Sequence, residues 1–178
     1  MASVFTIGHS TRDLAEFSRV LQAHDIRLLV DIRAFPASRR HPHFGREQLE
    51  LWLPEIGVEY LWEKDLGGHR SQQMPPNESP NIALREEAFR NYADYMLSEK
   101  FLSAAERVIA LAAKQNTTIM CAELLYFRCH RMLVSDFLVN RGHQVLHIRD
   151  EAPPQAHTLT NEARVVEGRL VYRGDYLL

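Results

Sequence analysis

The chain has 178 residues, 46% of them hydrophobic and 25% charged, with a formal net charge of −2 and a pI near 6.5. These figures suit one globular domain over residues 1–178, and they argue against a wholesale polyanion binder; its core is expected at about 4–150, with the rest packed on it as a tail. No apolar run approaches the roughly 18 residues of a membrane span. The opening Met1–Gly8 lacks the basic segment of a secretory signal, and two cysteines cannot build a disulfide framework, so a reducing, cytoplasmic setting is expected.

Val4-Phe5-Thr6-Ile7 reads as a buried strand stopping at Gly8. Thr11 is the expected N-cap of a helix on which Leu14, Phe17, Val20 and Leu21 keep helical spacing. Leu28-Leu29-Val30-Asp31-Ile32 is continuously apolar up to its aspartate, as a strand covered on both faces would be. A loop containing Pro36 and Pro42 leads to a helix near Arg46–Glu55, with Leu49, Trp52, Leu53 and Ile56 as one stripe and Gly57 as its cap. Val58–Trp62 follows as a third strand.

Residues 64–84, with Gly67-Gly68, Pro75-Pro76 and Pro80, read as a long surface loop. Helical spacing returns at Phe89, Tyr92, Ala93 and Met96, and again from Phe101 to Ala112. Thr117–Cys121 is a fourth strand, a helix runs from near Cys129 to about Asn140 with Gly142 after it, and Gln144–Ile148 is a fifth strand. Val165–Val171 suggests a small hairpin. The fold class expected is α/β: a mainly parallel five-stranded sheet, helices on both faces, and a small C-terminal β-hairpin.

In open parallel sheets, ligands bind beyond the carboxyl ends of the strands, where loops and helix N-termini converge. Both cysteines, most histidines and many of the 18 arginines fall after strands, and so at that one edge. Cys129, flanked by Arg128 and Arg131 near a helix start, has the surroundings that favour thiolate. Such a thiolate can be a nucleophile, a redox partner for Cys121, or a zinc ligand with Cys121, His130 and one distant histidine; a free cysteine can equally be a small buried packing residue. Six residues separate Cys121 from Arg128, and the glycines of a tight phosphate cradle are missing.

Gly8-His9-Ser10 ends the first strand, where glycine lets backbone approach an anion and His9 can carry a proton near neutral pH. The same triplet also reads as a plain strand-to-helix turn. Arg33 to Phe44 concentrates Arg33, Arg39 and Arg40 around Ser38, His41, His43 and aromatic rings, and guanidinium forks fit phosphate. Asp31 can pair with an arginine, and Glu123 can act as acid or base or hold an arginine in place.

The segments Phe5–Ser10, Leu29–Arg39, Leu66-Gly67-Gly68, Tyr92–Met96, Met120–Glu123 and Arg128–Arg131, in that order, resemble the domain of unknown function 488 family over about residues 4–150. The resemblance implies an α/β fold and marks the thiol pair and the Gly-His-Ser turn as family features; it supplies no substrate. The expected function is an enzyme acting on a phosphorylated small molecule, a nucleotide or a nucleic-acid end. Cys121, Cys129, His9 and Glu123 are its candidate catalytic groups. Gly8, Ser10, Asp31, Arg33, Ser38, Arg39, Arg128, His130 and Arg131 are the candidate anion-binding set. The alternatives are a non-catalytic nucleotide or nucleic-acid binding module and a metal-dependent enzyme built on Cys121, Cys129 and a histidine. No cofactor and no oligomeric state is indicated, and no membrane partner is expected.

Overall fold

A computed structural model describes residues 1–173, so the last five residues of the expected tail, 174–178, lie outside the described residues. Five parallel strands run in the order β3-β2-β4-β1-β5: β1 (Ser3–Gly8), β2 (Leu28–Asp31), β3 (Glu59–Trp62), β4 (Thr117–Cys121) and β5 (Gln144–Ile148). A sixth strand, β6 (Gln155–Ala156), pairs antiparallel with β5. Two residues are too few to leave a period in the sequence, which is why only five strands were expected. The hairpin of β7 (Ala163–Val166) and β8 (Arg169–Tyr172) forms a sheet of its own. Glu167 and Gly168 both have positive φ, as a two-residue turn between twisted strands requires.

Side chains alternate across the sheet and build a core on each face. On one face Ile7, Leu29 and Met120 meet Phe17, Val20 and Leu21 of α1 (Leu14–Ala23) and Leu49 of α2 (Arg46–Trp52). On the other, Val4, Val30 and Ile119 meet three more helices: α3 (Glu87–Tyr95), α4 (Glu99–Ala112) and α5 (Arg131–Asn140). No helix among the described residues is long and apolar enough to cross a membrane.

The helix ends differ from expectation in two places that bear on function. Asp13, not Thr11, caps α1, its carboxylate accepting from the Glu16 amide at 2.7 Å. That leaves residues 9–12 free to follow the sheet edge. Helix α5 begins at Arg131, with a short 3₁₀ turn over Tyr126–Arg128 before it, so Cys129 precedes the helix rather than opening it.

Because β4 lies between β1 and β2, the three central strands end level. Gly8 is in register with Cys121, and Asp31 with Met120. The ladder continues past β1, with the His9 amide donating to Cys121 and the Ser10 amide to Ala122, each at 2.9 Å. This level edge sets the backbone frame of the site.

Candidate functional site

A cleft of about 890 Å³ opens over that edge. Its walls come from the loops after β1, β2, β3 and β4 and from Phe89 and Tyr92 of α3. Five arginines line it (Arg33, Arg39, Arg40, Arg70 and Arg128) against one carboxylate, Glu123. Arg33 is neutralised by Asp31, and Arg70 is fixed, donating to the Gly67 and Lys64 carbonyls with its guanidinium 3.8 Å above the Tyr95 ring. Among the described residues, Arg39, Arg40 and Arg128 are exposed and their side chains hold no hydrogen bond or ion pair, so the guanidinium donors remain available to a ligand. The cleft is a cationic site with unpaired charge at its rim and paired or pinned charge within.

Two sulfurs and an imidazole meet on the cleft wall. Cys121 ends β4, Cys129 and His130 stand just before α5, and the ligand atoms of all three lie within 4.8 Å of one another. His130 Nε2 donates to the Ile32 carbonyl at 3.0 Å, which turns Nδ1 toward Cys129 Sγ, 3.5 Å away. The ring is held from both sides. Tyr92 packs edge-on at 5.1 Å, and a Cβ on Gly68 would come within 3.0 Å of Nδ1, Cγ and Cε1 together, so Gly68 lies flat on the ring.

The hydrogen bond from Cys121, helped by His130 and Arg131, holds Cys129 well below the ordinary thiol range despite its burial. Sharing the same bond pushes Cys121 well above that range. The pair therefore behaves as one thiolate and one thiol donor.

The second cluster is polar and nearly closed to water. Asp31, fully buried, takes Nε of Arg33 at 2.8 Å and Nη2 at 2.5 Å, while the Tyr60 hydroxyl donates to the same carboxylate at 2.7 Å. Nη2 of Arg33 donates also to the Phe44 carbonyl at 2.8 Å, and Nη1 sits 3.4 Å from His9 Nε2. His9 Nδ1 donates back to the Ser10 carbonyl at 2.9 Å, a geometry reached because Ser10 takes a left-handed φ of 53°. A non-glycine residue in that region is strained, and strain of this kind gathers where a backbone must serve a site. The His9 ring stacks on Phe44 at 4.3 Å, and burial lowers its pKa to about 4.

The expected residues thus fall into two groups. His9, Ser10, Arg33, Ser38, Arg39, Cys121, Glu123, Arg128, Cys129 and His130 all line the cleft. Gly8, Asp31 and Arg131 do not; they hold its walls. The Arg131 guanidinium donates to the Glu123 and Leu124 carbonyls and, at 3.4 Å, to Thr6 Oγ1, all from a fully buried position. Its charge reaches a ligand only through the loop it pins. Gly68, His69 and Arg70, also cleft residues, stand after the third strand, where the edge rule pointed. Phe89 and Tyr92 were unreadable as site residues because their spacing equally describes a core stripe.

Behind Arg131 runs a buried chain that reaches the tail. Thr6 Oγ1 stands 2.7 Å from His147 Nδ1, His147 Nε2 is 2.8 Å from His157 Nδ1, and His157 Nε2 is 2.9 Å from Asp136 Oδ1. One donor order runs through the chain: Arg131 to Thr6, Thr6 to His147, and each imidazole donating through Nε2 toward Asp136, with Arg131 Nε left without a partner. Asp136 also accepts from the Thr160 amide at 2.9 Å, the Thr160 hydroxyl at 2.6 Å and the Tyr172 hydroxyl at 2.9 Å. The tail residues are thereby tied, through four side chains, to the loop that forms one wall of the cleft.

Over residues 13–138 the chain matches the family described as Domain of unknown function DUF488. It belongs to that family. No curated protein and no solved structure matches it. The DUF488 match takes in the Asp31–Arg33 pair, the loop after β2, Gly67-Gly68 and the whole segment from Cys121 to Arg131. It starts after Gly8-His9-Ser10, so it is narrower than the sequence resemblance, although the fold brings that turn into the same cleft.

Two of the buried histidines give this DUF488 chain an acid-side signature. Burial lowers His9 to about 4 and His147 to about 3 from the ordinary 6.5. Below pH 6.5 the unfolded chain takes up protons that the folded chain refuses, so stability falls as pH drops through that window; the His9 part levels off near pH 4. Urea unfolding of His9→Gln should lose less stability than the wild type between pH 7 and pH 4.5, by roughly 2–3 kcal/mol. Identical losses in the two proteins would contradict the assignment.

Proposed function

We propose that this protein is an enzyme that binds a phosphate-bearing small molecule, nucleotide or nucleic-acid end in the cleft, with chemistry centred on the Cys129 sulfur. The observation that carries the reading is the convergence of Cys121, Cys129 and His130 on the wall of a cleft whose rim holds the unengaged Arg39, Arg40 and Arg128. In this reading the rim arginines and the remaining Nη1–H of Arg33 take the anion through charge-assisted hydrogen bonds. The Cys129 sulfur gives its electron pair to an electrophilic atom of the bound molecule as that atom's bond to its leaving group breaks, the Cys121 thiol gives the leaving group its proton, and His9, uncharged at neutral pH, is the proton carrier of the site. Glu123 stands exposed at the mouth, its Oε1 taking the Leu125 amide at 3.1 Å, and can orient a cation or accept a proton. Two reduced thiols suit a reducing compartment, and a cytoplasmic location is part of the proposal.

Calorimetric titration with inorganic phosphate, a nucleoside monophosphate and a 5′-phosphorylated oligonucleotide tests the anion site. Arg39→Ala and Arg128→Ala should each weaken the best of these by about tenfold, the loss of one charge-assisted hydrogen bond. Cys129→Ser should keep that affinity within about twofold while turnover disappears. Absence of anion binding at low salt, or full activity in Cys129→Ser, would overturn the reading. A purely binding protein would show affinity falling steeply with salt and unmoved by the cysteine change.

A further inference from the structure

We infer that Cys121, Cys129 and His130 form a three-ligand zinc site whose fourth position opens on the cleft. The inference deepens the proposed function by giving the Cys129 electron pair a metal ion, in place of the bound molecule, as its acceptor, and it rests on that reading only for the use to which the ion is put.

The donor set is the first argument. Two thiolates and an imidazole are soft-to-intermediate ligands that suit Zn²⁺ over the hard cations that prefer oxygen. Three protein ligands with one open position is the pattern of catalytic zinc, whereas structural zinc closes all four.

Distance is the second. At ordinary bond lengths of about 2.3 Å to sulfur and 2.1 Å to nitrogen, the edges of a tetrahedral site come out at about 3.5–3.8 Å. The Cys129–His130 edge already measures 3.5 Å, and every other donor separation is within 4.8 Å. Closing the triangle on an ion asks for side-chain adjustments of an ångström or less on the longest edge.

The third argument is the way the imidazole is presented. A ligating histidine needs its second nitrogen anchored so that the first keeps a lone pair directed at the metal. Nε2 of His130 is committed to the Ile32 carbonyl at the end of β2, leaving Nδ1 as the inward-facing atom. Gly68 and Tyr92 fix the plane of the ring, and a side chain at residue 68 would push it out of line. This is more anchoring than a packing histidine needs.

All three donors line the cleft, so the open position faces the space where an anion held by the rim arginines would lie. Binding releases the remaining thiol proton to solvent and changes no oxidation state. The ion would supply a Lewis acid for a phosphoryl oxygen or bound water.

The test uses the full chain, purified without a histidine tag and titrated with zinc alone. One Zn²⁺ per chain by elemental analysis, and a sulfur-to-metal charge-transfer band with Co²⁺, are the expected results. Cys121→Ser, Cys129→Ser and His130→Ala should each weaken binding by at least about 100-fold, beyond what loss of an outer-shell partner costs. In case a variant fails to fold, the wild type provides a second readout: zinc should protect both thiols from alkylation in parallel, and a chelator should restore their reactivity. No zinc uptake, uptake unchanged in Cys129→Ser, or alkylation indifferent to zinc would each overturn the site. If those failures come with intact anion binding, the proposed function survives in its metal-free thiol form. A zinc-loaded protein that binds none of the phosphate probes would remove the proposed function and leave the metal site standing.

Discussion

Gly8→Ala should cost about 3 kcal/mol or more of stability, the steepest loss of any single methyl addition at the cleft. A Cβ at that position would stand 1.9 Å from the Glu123 carbonyl oxygen, 2.6 Å from its carbon and 2.8 Å from Leu124 Cα. All three atoms are backbone, so no side chain can swing away to make room. Nor can the loop retreat freely, since Arg131 holds the Glu123 and Leu124 carbonyls from below and the Ser10 amide holds Ala122 from the side. The φ of Gly8 is not positive, so the requirement is for space rather than for left-handed backbone. Gly142 supplies the contrast: its φ is +82° and nothing lies within 4 Å of the added methyl. Gly142→Ala should therefore cost only about 1 kcal/mol, the conformational penalty alone. Urea unfolding of both variants, with the alkylation rate of Cys121 as a local probe, checks the comparison. Similar losses in the two would mean that the 122–125 loop is free to move, and that the wall of the cleft is soft.

This tight approach explains how much of the site could be read in the sequence. A glycine ending an apolar run, followed by histidine and serine, marks a strand end; two cysteines and many arginines after other strand ends mark the same edge of a parallel sheet. Strand order then does the assembling, because β4 inserted between β1 and β2 puts Gly8, Cys121 and Asp31 side by side. Local pattern could not say which way an arginine faces. Arg128 and Arg131 stand three residues apart with the same apparent role, yet the first is exposed at the cleft and the second fully buried, donating to carbonyls. The difference arises from the turn at Tyr126–Arg128, which ends before the helix begins and rotates Cys129 and His130 toward β2. Likewise, residues 64–84 read as plain surface loop. Ser79 and Asn81 are in fact buried, each donating to Asp94 at 2.7 Å, and Asn81 takes the Tyr172 amide at 2.9 Å. Neither partner is a sequence neighbour, so no period or spacing could announce the contact.

Asp136→Leu should destabilise the protein by roughly 3–5 kcal/mol, through a network that has no sequence signature at all. Leucine repeats the branched outline of aspartate but is larger, so overpacking of about 1–3 kcal/mol adds to the loss of polar contacts at this fully buried position. The substitution takes the acceptor from His157 Nε2 and the Tyr172 hydroxyl, both buried, and from the amide and hydroxyl of half-buried Thr160, and each unsatisfied buried donor costs about 1–3 kcal/mol. It also leaves Arg131 without the carboxylate at the far end of the Thr6–His147–His157 chain. Two local readouts separate this from a general loss of stability. Hydrogen exchange at the Thr160 amide should rise well before the strands open, because its acceptor is gone. Anion affinity in the cleft should fall although no cleft residue has changed, since the loop held by Arg131 carries Glu123 and adjoins Cys121. A double change, Asp136→Leu with Tyr172→Phe, removes one of the stranded donors and should recover part of the lost stability. Loss of less than about 1 kcal/mol in the single variant would show that water or rearranged partners satisfy these donors, and that the tail is not coupled to the cleft.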